Sequence, residues 1–234
     1  MSNAPKAVFF DLDGTILDWE TGMEDSWVAA CERHCDDAHT PAQLHEAIRT
    51  RRTWFWADAE RALRGRMDLD AASREIVRYA FADLGRDDVA TADRLGNHYR
   101  SLRAAAIAPY PGAIETVGEF HRRGVPLALI TNGGARSQRQ SIEKFALERY
   151  FDCIIVEGEF GVGKPDERVF RYALDAAACA PAEAWMVGDN LAADIETPHR
   201  LGMHTVWVDA HARGLPEAAP VRPHRIVRSI AELV

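Results

Sequence analysis

The chain has 234 residues, of which 47% are hydrophobic and 27% are charged, as expected for a globular protein with one large domain or a core with an inserted domain. Its net charge of −8 argues against a nucleic acid or an anionic membrane as the main partner. The four cysteines form no C-x-x-C pair, and no apolar run approaches the roughly 18 residues of a membrane span. With no signal-like apolar stretch at the amino terminus, we expect a cytoplasmic protein with free thiols.

Short apolar runs rich in β-favouring residues predict buried parallel strands. The runs are 6–10, 125–131, 153–156, 184–188, 204–209 and, more weakly, 224–227. Helical patterns lie between them, at 112–123, 136–148, 166–178 and 191–201. Strands that alternate with helices of this length are typical of βαβ units, so we predict an α/β fold with a parallel sheet.

Residues 17–107 interrupt this alternation, since they contain no convincing strand. Helical patterns occupy the segment around 21–35, 41–63, 71–84 and 88–106. We therefore predict that 17–107 form an all-helical domain, inserted into an α/β core made of residues 1–16 and 108–234.

Polar residues follow four of the predicted strands, and in a parallel sheet such positions gather at one edge. They are, in chain order, Asp11 and Asp13, Thr131 and Asn132, Lys164, and Asp189 with Asp194. Each has an ordinary alternative explanation: an Asp-rich turn, a strand-to-helix turn, a solvated loop lysine, or an acid that favours a helix dipole.

The first pair sets an electrostatic problem. Asp11 and Asp13 are two residues apart, which places them on one side of an extended chain, where two carboxylates repel unless they share a proton or a cation. Mg²⁺ suits this position, because it binds one or two carboxylates together with phosphate oxygens.

Taken together, the polar residues favour phosphoryl chemistry. A cation and Lys164 would neutralise a phosphoryl group, and Thr131 and Asn132 would orient it as hydrogen-bond donors. Asp11 would attack phosphorus to form an aspartyl-phosphate. Asp13 would protonate the leaving oxygen and then accept a proton from water.

The chain resembles the haloacid dehalogenase-like (HAD) hydrolase superfamily at four motifs that occur in order. These are "DLDGT" at 11–15, Thr131, Lys164 within "GKP", and Asp189 after "G" with Asp194 beyond it. The stretches "RSQRQSIEKFALERYFD" and "GEFGVGKP" resemble the branch of N-acylneuraminate-9-phosphatase and the pyrimidine 5′-nucleotidases.

The resemblance implies a Rossmann-like core with a helical cap inserted after the first motif. It implies Mg²⁺ held by the Asp11 side chain, the Asp13 backbone carbonyl and Asp189. Lys164 would pair with Asp11 and the phosphate, and Asp194 would support the site by hydrogen bonding. The expected activity is a phosphatase that acts on a small phosphorylated metabolite, a nucleotide or a sugar phosphate, as a monomer or homodimer.

The same motifs and the inserted segment argue against several other activities and leave one open. Haloacid dehalogenases lack the second aspartate, so Asp13 argues against that reaction. Phosphonatases need a cap lysine, and 17–107 contain none. A phosphomutase of the same superfamily stays open. A receiver module would carry its aspartate after a middle strand and lack the insertion, and a non-enzymatic scaffold would not need all the motifs intact.

The predicted cap contains a basic, aromatic stretch at 49–66, which has two interpretations. It could stack on and pair with a substrate, but the favoured interpretation is a helix with an aromatic core face and an arginine-rich surface. Trp19 and Glu20 lie just beyond the first motif, and we predict that they contact the leaving group.

Overall fold

The structure, a computed structural model, describes residues 4–234 as two compact units. One unit holds the described residues up to Asp18 together with Ala108–Val234, and the other is Trp19–Ile107. The four cysteines are unpaired thiols. No helix within residues 4–234 is both long and apolar enough to cross a bilayer.

The first unit is built on a six-stranded sheet. The strands of this unit are β1 (Ala7–Phe10), β2 (Leu17–Asp18), β3 (Ala108–Pro109), β4 (Leu127–Thr131), β5 (Cys153–Val156), β6 (Ala184–Gly188), β7 (His204–Val208) and β8 (Arg225–Val227). The sheet runs in the order β5-β4-β1-β6-β7-β8, and every neighbouring pair is parallel. The predicted α/β class with a parallel, Rossmann-like sheet is therefore confirmed.

The central strand explains why its sequence is continuously apolar. All four residues of β1 are fully buried, and successive side chains face opposite sides of the sheet. Phe9 belongs to an apolar cluster with Phe170 of the helix Glu167–Ala176. Phe10 packs on the other face against Phe120 and Phe151, with ring centroids 6.1 and 6.5 Å away.

The helices of this unit cover the sheet. They are α6 (Ala113–Arg122), α7 (Ala135–Lys144), α8 (Glu157–Phe160), α9 (Glu167–Ala176) and α10 (Thr197–Arg200). The helix predicted over 136–148 ends early, because the chain turns at Ala146, whose φ is 50°, into a 3₁₀ turn. The helix predicted over 191–201 starts as a π-helical turn, Leu191–Glu196.

A short antiparallel ribbon was missed by the sequence prediction. Leu17 pairs with Pro109 and Asp18 with Ala108. The expectation that 17–107 contain no strand is therefore wrong at Leu17 and Asp18. Strands this short have no periodicity of their own, and only the pairing reveals them.

The second unit is all-helical. Its helices are α1 (Met23–His34), α2 (Pro41–Trp56), α3 (Ala59–Met67), α4 (Leu69–Asp83) and α5 (Val89–Ala106). The single helix predicted over 41–63 is wrong, because Asp58 starts a new helix by accepting a hydrogen bond from the Arg61 N–H at 2.9 Å. Trp27 stacks on Tyr99 in the apolar interior of this unit.

Candidate active site

The carboxyl ends of β1, β4 and β6 define the place where the functional side chains meet. From β1 the chain proceeds to β4 and β5 on one side of the sheet and then returns to β6 and β7 on the other. This change of direction opens a crevice at the ends of the central strands, where open α/β sheets bind ligands. Asp11 directly follows β1, Thr131 ends β4, and Asp189 directly follows β6.

Lys164 and two carboxylates form a buried ionic cluster at this edge. The Lys164 ammonium nitrogen lies 2.5 Å from Asp11 Oδ1 and 2.7 Å from Asp194 Oδ1. The exposed fractions of Lys164, Asp11 and Asp194 are 4%, 6% and 1%. Burial works against the charged form of Lys164, but the two carboxylates raise its pKa above the usual value, so the lysine stays protonated.

The acidic side of the cluster contains more charge than one lysine can balance. Oxygen atoms of Asp11, Asp189 and Asp194 all lie within 4.8 Å of one another. Burial, followed by the charges of Asp11 and Asp194, raises the pKa of Asp189 to about 8. Burial also raises the pKa of Asp194 to about 6, although Lys164 opposes the shift. Without a further cation, the cluster therefore holds protons near neutral pH.

Two glycines allow the carboxylates to approach the backbone. Gly14 has a φ of +88°, and a Cβ atom there would lie closer than 3.0 Å to the Asp189 carboxylate. A Cβ atom on Gly188 would meet the Asp194 carboxylate at a similarly forbidden distance. The first and fourth motifs thus include glycine because acidic side chains occupy the space of a β-carbon.

Asn132 holds the segment that carries Lys164. Its Nδ2 donates to the Lys164 carbonyl at 2.7 Å, and its Oδ1 accepts from the Lys164 backbone N–H at 2.7 Å. Asn132 was predicted to bind phosphate, and this stays a prediction; in the structure both polar atoms of its side chain contact the Lys164 backbone. Thr131, predicted to bind phosphate through its hydroxyl, is 2% exposed at the end of β4.

A model of the haloacid dehalogenase-like hydrolase family matches residues 5–202, which is well over half of the chain. The chain belongs to the haloacid dehalogenase-like hydrolase family. The resemblance inferred from the four motifs is confirmed.

Named relatives of this hydrolase are phosphatases. The phosphoserine phosphatase of Thermus thermophilus is 45% identical over 115 residues, which are 47% of this chain and 45% of that protein. The chain therefore spans about half the length of that relative. Human N-acylneuraminate-9-phosphatase, from the branch that the sequence resembles, is 27% identical over 97% of this chain and 92% of its own length.

A solved structure shows the same fold. The HAD-hydrolase YfnB from Bacillus subtilis, crystallised bound to magnesium, matches with a TM-score of 0.72 and 20% identity. The match covers 99% of this chain and 97% of YfnB. At this identity the likeness concerns the fold alone.

Three positions that support the site of this hydrolase were not found from the sequence. Glu157, buried after β5, accepts a hydrogen bond from the Gly133 N–H at 2.9 Å. The Trp207 indole N–H donates to the Asp189 carbonyl at 2.6 Å. Gln138 contacts Asp13, as described below. None of the three belongs to a motif, and each reaches its partner from another element.

Asp194 owes its position to the π-helical turn. The Asn190 side chain accepts hydrogen bonds from the backbone N–H groups of Ala192 and Ala193, at 3.1 and 3.0 Å, which starts the turn. Asp194 Oδ2 in turn accepts from the Asn190 N–H at 3.0 Å. One oxygen of Asp194 is thus committed to the backbone and the other to Lys164.

The residues predicted to contact a leaving group lie in the helical unit. Trp19 is 38% exposed, and its carbonyl accepts a hydrogen bond from the buried guanidinium of Arg103. Glu20 is half-buried beside it. Their contact with a leaving group stays a prediction.

The arginines of the basic, aromatic stretch pair with other residues of the same unit. Arg64 contacts Glu75 at 2.9 Å, Arg51 pairs with Asp83, and Arg61 lies 3.8 Å above the Trp54 ring. Phe55 is fully buried, whereas Trp54 and Trp56 are 37% and 41% exposed. The arrangement supports the interpretation of an arginine-rich surface, and the aromatic core face is limited to Phe55.

The acidic cluster fits a hard divalent cation. Its donors are carboxylate oxygens, which suit Mg²⁺. The pKa of Asp189 is raised by burial and then by the neighbouring negative charges of Asp11 and Asp194. Because both Asp194 oxygens already have partners, Asp11 and Asp189 supply the better placed side-chain ligands.

Proposed function

We propose that this hydrolase is a Mg²⁺-dependent phosphatase that cleaves a small phosphorylated metabolite through an aspartyl-phosphate on Asp11. The observation that carries the proposal is the buried carboxylate of Asp11, held at 2.5 Å by Lys164 beside the acidic cluster. A receiver would carry its aspartate after a middle strand of the chain and would lack the helical unit, whereas Asp11 follows the first strand and Trp19–Ile107 form such a unit. A scaffold would not need Asp11, Lys164 and the acidic cluster intact.

In the first step Asp11 acts as the nucleophile. One carboxylate oxygen forms a bond to phosphorus while the ester P–O bond breaks, and Asp13 delivers a proton to the leaving oxygen. Lys164 keeps the Asp11 carboxylate oriented and balances the charge of the phosphoryl oxygens, and Thr131 would bind one of these oxygens through its hydroxyl.

In the second step water hydrolyses the aspartyl-phosphate. Asp13, now a carboxylate, accepts a proton as the water oxygen bonds to phosphorus and the bond to Asp11 breaks. Inorganic phosphate leaves, and both aspartates return to their starting states. Asp194 takes no part in bond making; it holds the Lys164 ammonium from the second side at 2.7 Å.

We propose that the Asp11 and Asp189 side chains and the Asp13 carbonyl hold the Mg²⁺. When bound, the ion would neutralise the crowded carboxylates and the phosphoryl oxygens. The pKa of Asp189 is raised by burial and then by repulsion from Asp11 and Asp194, and it supports this assignment because a cation would relieve that repulsion.

The names of the relatives support the proposed substrate class. Phosphoserine phosphatase and N-acylneuraminate-9-phosphatase are named for small phosphorylated molecules, an amino acid and a sugar acid. We therefore propose a small phosphorylated metabolite for this chain, with nucleotides and sugar phosphates as the first compounds to screen. The unpaired cysteines support a cytoplasmic enzyme. We propose that it acts as a monomer or homodimer.

The proposal is tested with p-nitrophenyl phosphate. The wild type should release phosphate with Mg²⁺ and not with EDTA, and Asp11→Asn should lose several orders of magnitude in kcat. Asp175→Asn, which changes an exposed carboxylate of α9, serves as the matched control and should keep full activity. Full activity of the Asp11 variant, or of the wild type in EDTA, would contradict the proposal.

A further inference from the structure

We infer that Gln138 is a positioning residue that fixes the direction of the Asp13 carboxylate. The inference rests on the proposed function, in which Asp13 donates and accepts the proton. It assigns a role to a side chain outside all four motifs, separated from Asp13 by 125 positions in the sequence.

Gln138 reaches Asp13 from the first turns of α7. Its side chain is buried, with 6% exposed. The Nε2 atom lies 3.0 Å from Asp13 Oδ2 and 3.0 Å from the Asn132 carbonyl oxygen. Each of its two N–H groups therefore has its own acceptor, and the amide group connects the first motif with the second.

The surroundings determine which way the amide faces. If it were rotated by 180°, Oε1 would face the Asp13 carboxylate and the Asn132 carbonyl, and two pairs of acceptors would repel each other. In the observed orientation Oε1 is buried and finds no hydrogen-bond partner among residues 4–234. Such an oxygen costs about 1–3 kcal/mol, so a residue that served packing alone would be better replaced by an apolar one.

The neighbouring backbone leaves room for this contact. Gly133 has a φ of +129°, and a Cβ atom there would come 2.7 Å from Gln138 Nε2. Glycine at this position therefore keeps the amide in reach of Asp13, as well as permitting the turn.

The direction of the Asp13 carboxylate matters for its role in the reaction. Lys164 holds Asp11 and Asp194 with short ionic contacts, and the Gln138 amide contacts Asp13 at 3.0 Å. Proton transfer to a leaving oxygen requires the donor at hydrogen-bond distance, and an error of about 1 Å costs roughly 10²-fold in rate. Gln138 supplies this positional constraint.

The test compares two leaving groups in Gln138→Met, which keeps the length of the side chain and removes both N–H donors. The quantity compared is kcat/KM, which reports formation of the aspartyl-phosphate and excludes its hydrolysis, the step that both esters share. With β-glycerol phosphate, whose alkoxide needs a proton to leave, we expect kcat/KM to fall by about 10- to 100-fold. With p-nitrophenyl phosphate, whose leaving group needs no proton, we expect kcat/KM to fall less than about threefold. Gln140→Met, at an exposed position of the same helix, is the control and should match the wild type.

A double-variant cycle separates positioning from general damage. If Gln138 acts through Asp13, Gln138→Met should cause no further loss of kcat/KM for β-glycerol phosphate in an Asp13→Asn background. Equal losses for both leaving groups, or losses that multiply in the double variant, would overturn the inference. Gln138→Glu, of the same shape, should show the same leaving-group pattern by repelling Asp13, and it replaces Gln138→Met if the latter fails to fold. Failure of the proposed function would appear differently, as a wild type that hydrolyses neither ester.

Discussion

Replacing Asp189 by asparagine should stabilise the metal-free protein while it abolishes the response to Mg²⁺. In the folded chain the pKa of Asp189 is raised from 3.8 to about 8, first by burial and then by Asp11 and Asp194. Ionising this group therefore costs free energy in the folded state that it does not cost in the unfolded state. Asparagine keeps the shape of the neutral acid and removes that cost.

The size of the effect follows from linkage. Between pH 3.8 and about 8 the folded state binds more protons than the unfolded state, so the stability of the metal-free protein falls as the pH rises. Each unit of pKa difference corresponds to about 1.4 kcal/mol, which sets an upper limit of about 4 kcal/mol at pH 7. Because Asp11 and Asp194 adjust their own protonation when Asp189 ionises, we expect a gain of about 1–3 kcal/mol, or roughly 3–10 °C in Tm.

The assay is thermal unfolding of the wild type, Asp189→Asn and Asp175→Asn, in EDTA and in Mg²⁺, from pH 5 to pH 8. In EDTA, Asp189→Asn should melt above the wild type, with a difference that grows as the pH rises. Mg²⁺ should raise the Tm of the wild type and of Asp175→Asn but hardly that of Asp189→Asn. A variant that melts at or below the wild type in EDTA, or that keeps the full Mg²⁺ response, would refute this account of the acidic cluster.

Two further substitutions test the supports of the site and the far edge of the sheet. Asn132→Ala removes two hydrogen bonds of 2.7 Å to the Lys164 backbone. The free energy of unfolding, measured in urea, should fall by about 1–3 kcal/mol, and kcat should fall at least tenfold. An unchanged kcat would show that Lys164 does not need these hydrogen bonds. The ring of His224 accepts a hydrogen bond from the Thr205 N–H at 3.1 Å, and burial, together with His199, lowers the pKa of His224 below 6.5. Below pH 6.5 the unfolded state therefore binds more protons than the folded state, so the free energy of unfolding of the wild type should fall as the pH is lowered. His224→Phe lacks this ionisable group and should lose less stability between pH 7.5 and pH 5.5, which urea unfolding at the two pH values would measure.

Local patterns were sufficient to predict most of the fold. The strands over 153–156 and 184–188 have the predicted bounds, because buried parallel strands are apolar throughout and end at turn residues. The sequence also contains a signal for the break at Asp58, since aspartate is a common N-cap residue at the start of a helix. The prediction of one helix over 41–63 did not use this signal.

The supports of the site could not be predicted in this way. The motifs identify side chains by their distance from a strand end, which is a local property. Gln138, Glu157 and Trp207 act through contacts with residues that are distant in the chain, and glutamine, glutamate and tryptophan each have many ordinary roles. The contacts of the Asn132 amide with Lys164 were missed for the same reason, because Lys164 is 32 positions away.

The electrostatics of the site explain why it is built from so many buried contacts. Lys164 and its two carboxylates, taken alone, would be an ordinary buried ionic cluster, whose desolvation roughly offsets its attraction. Asp189 adds a charge that Lys164 only partly offsets, so its ionisation lowers the stability of the metal-free chain. Such a cluster would relax by moving its carboxylates apart unless its neighbours prevented this. The hydrogen bond from Trp207 to the Asp189 carbonyl, and the one from the Asn190 N–H to Asp194, oppose that relaxation and keep the acids close enough to share an ion.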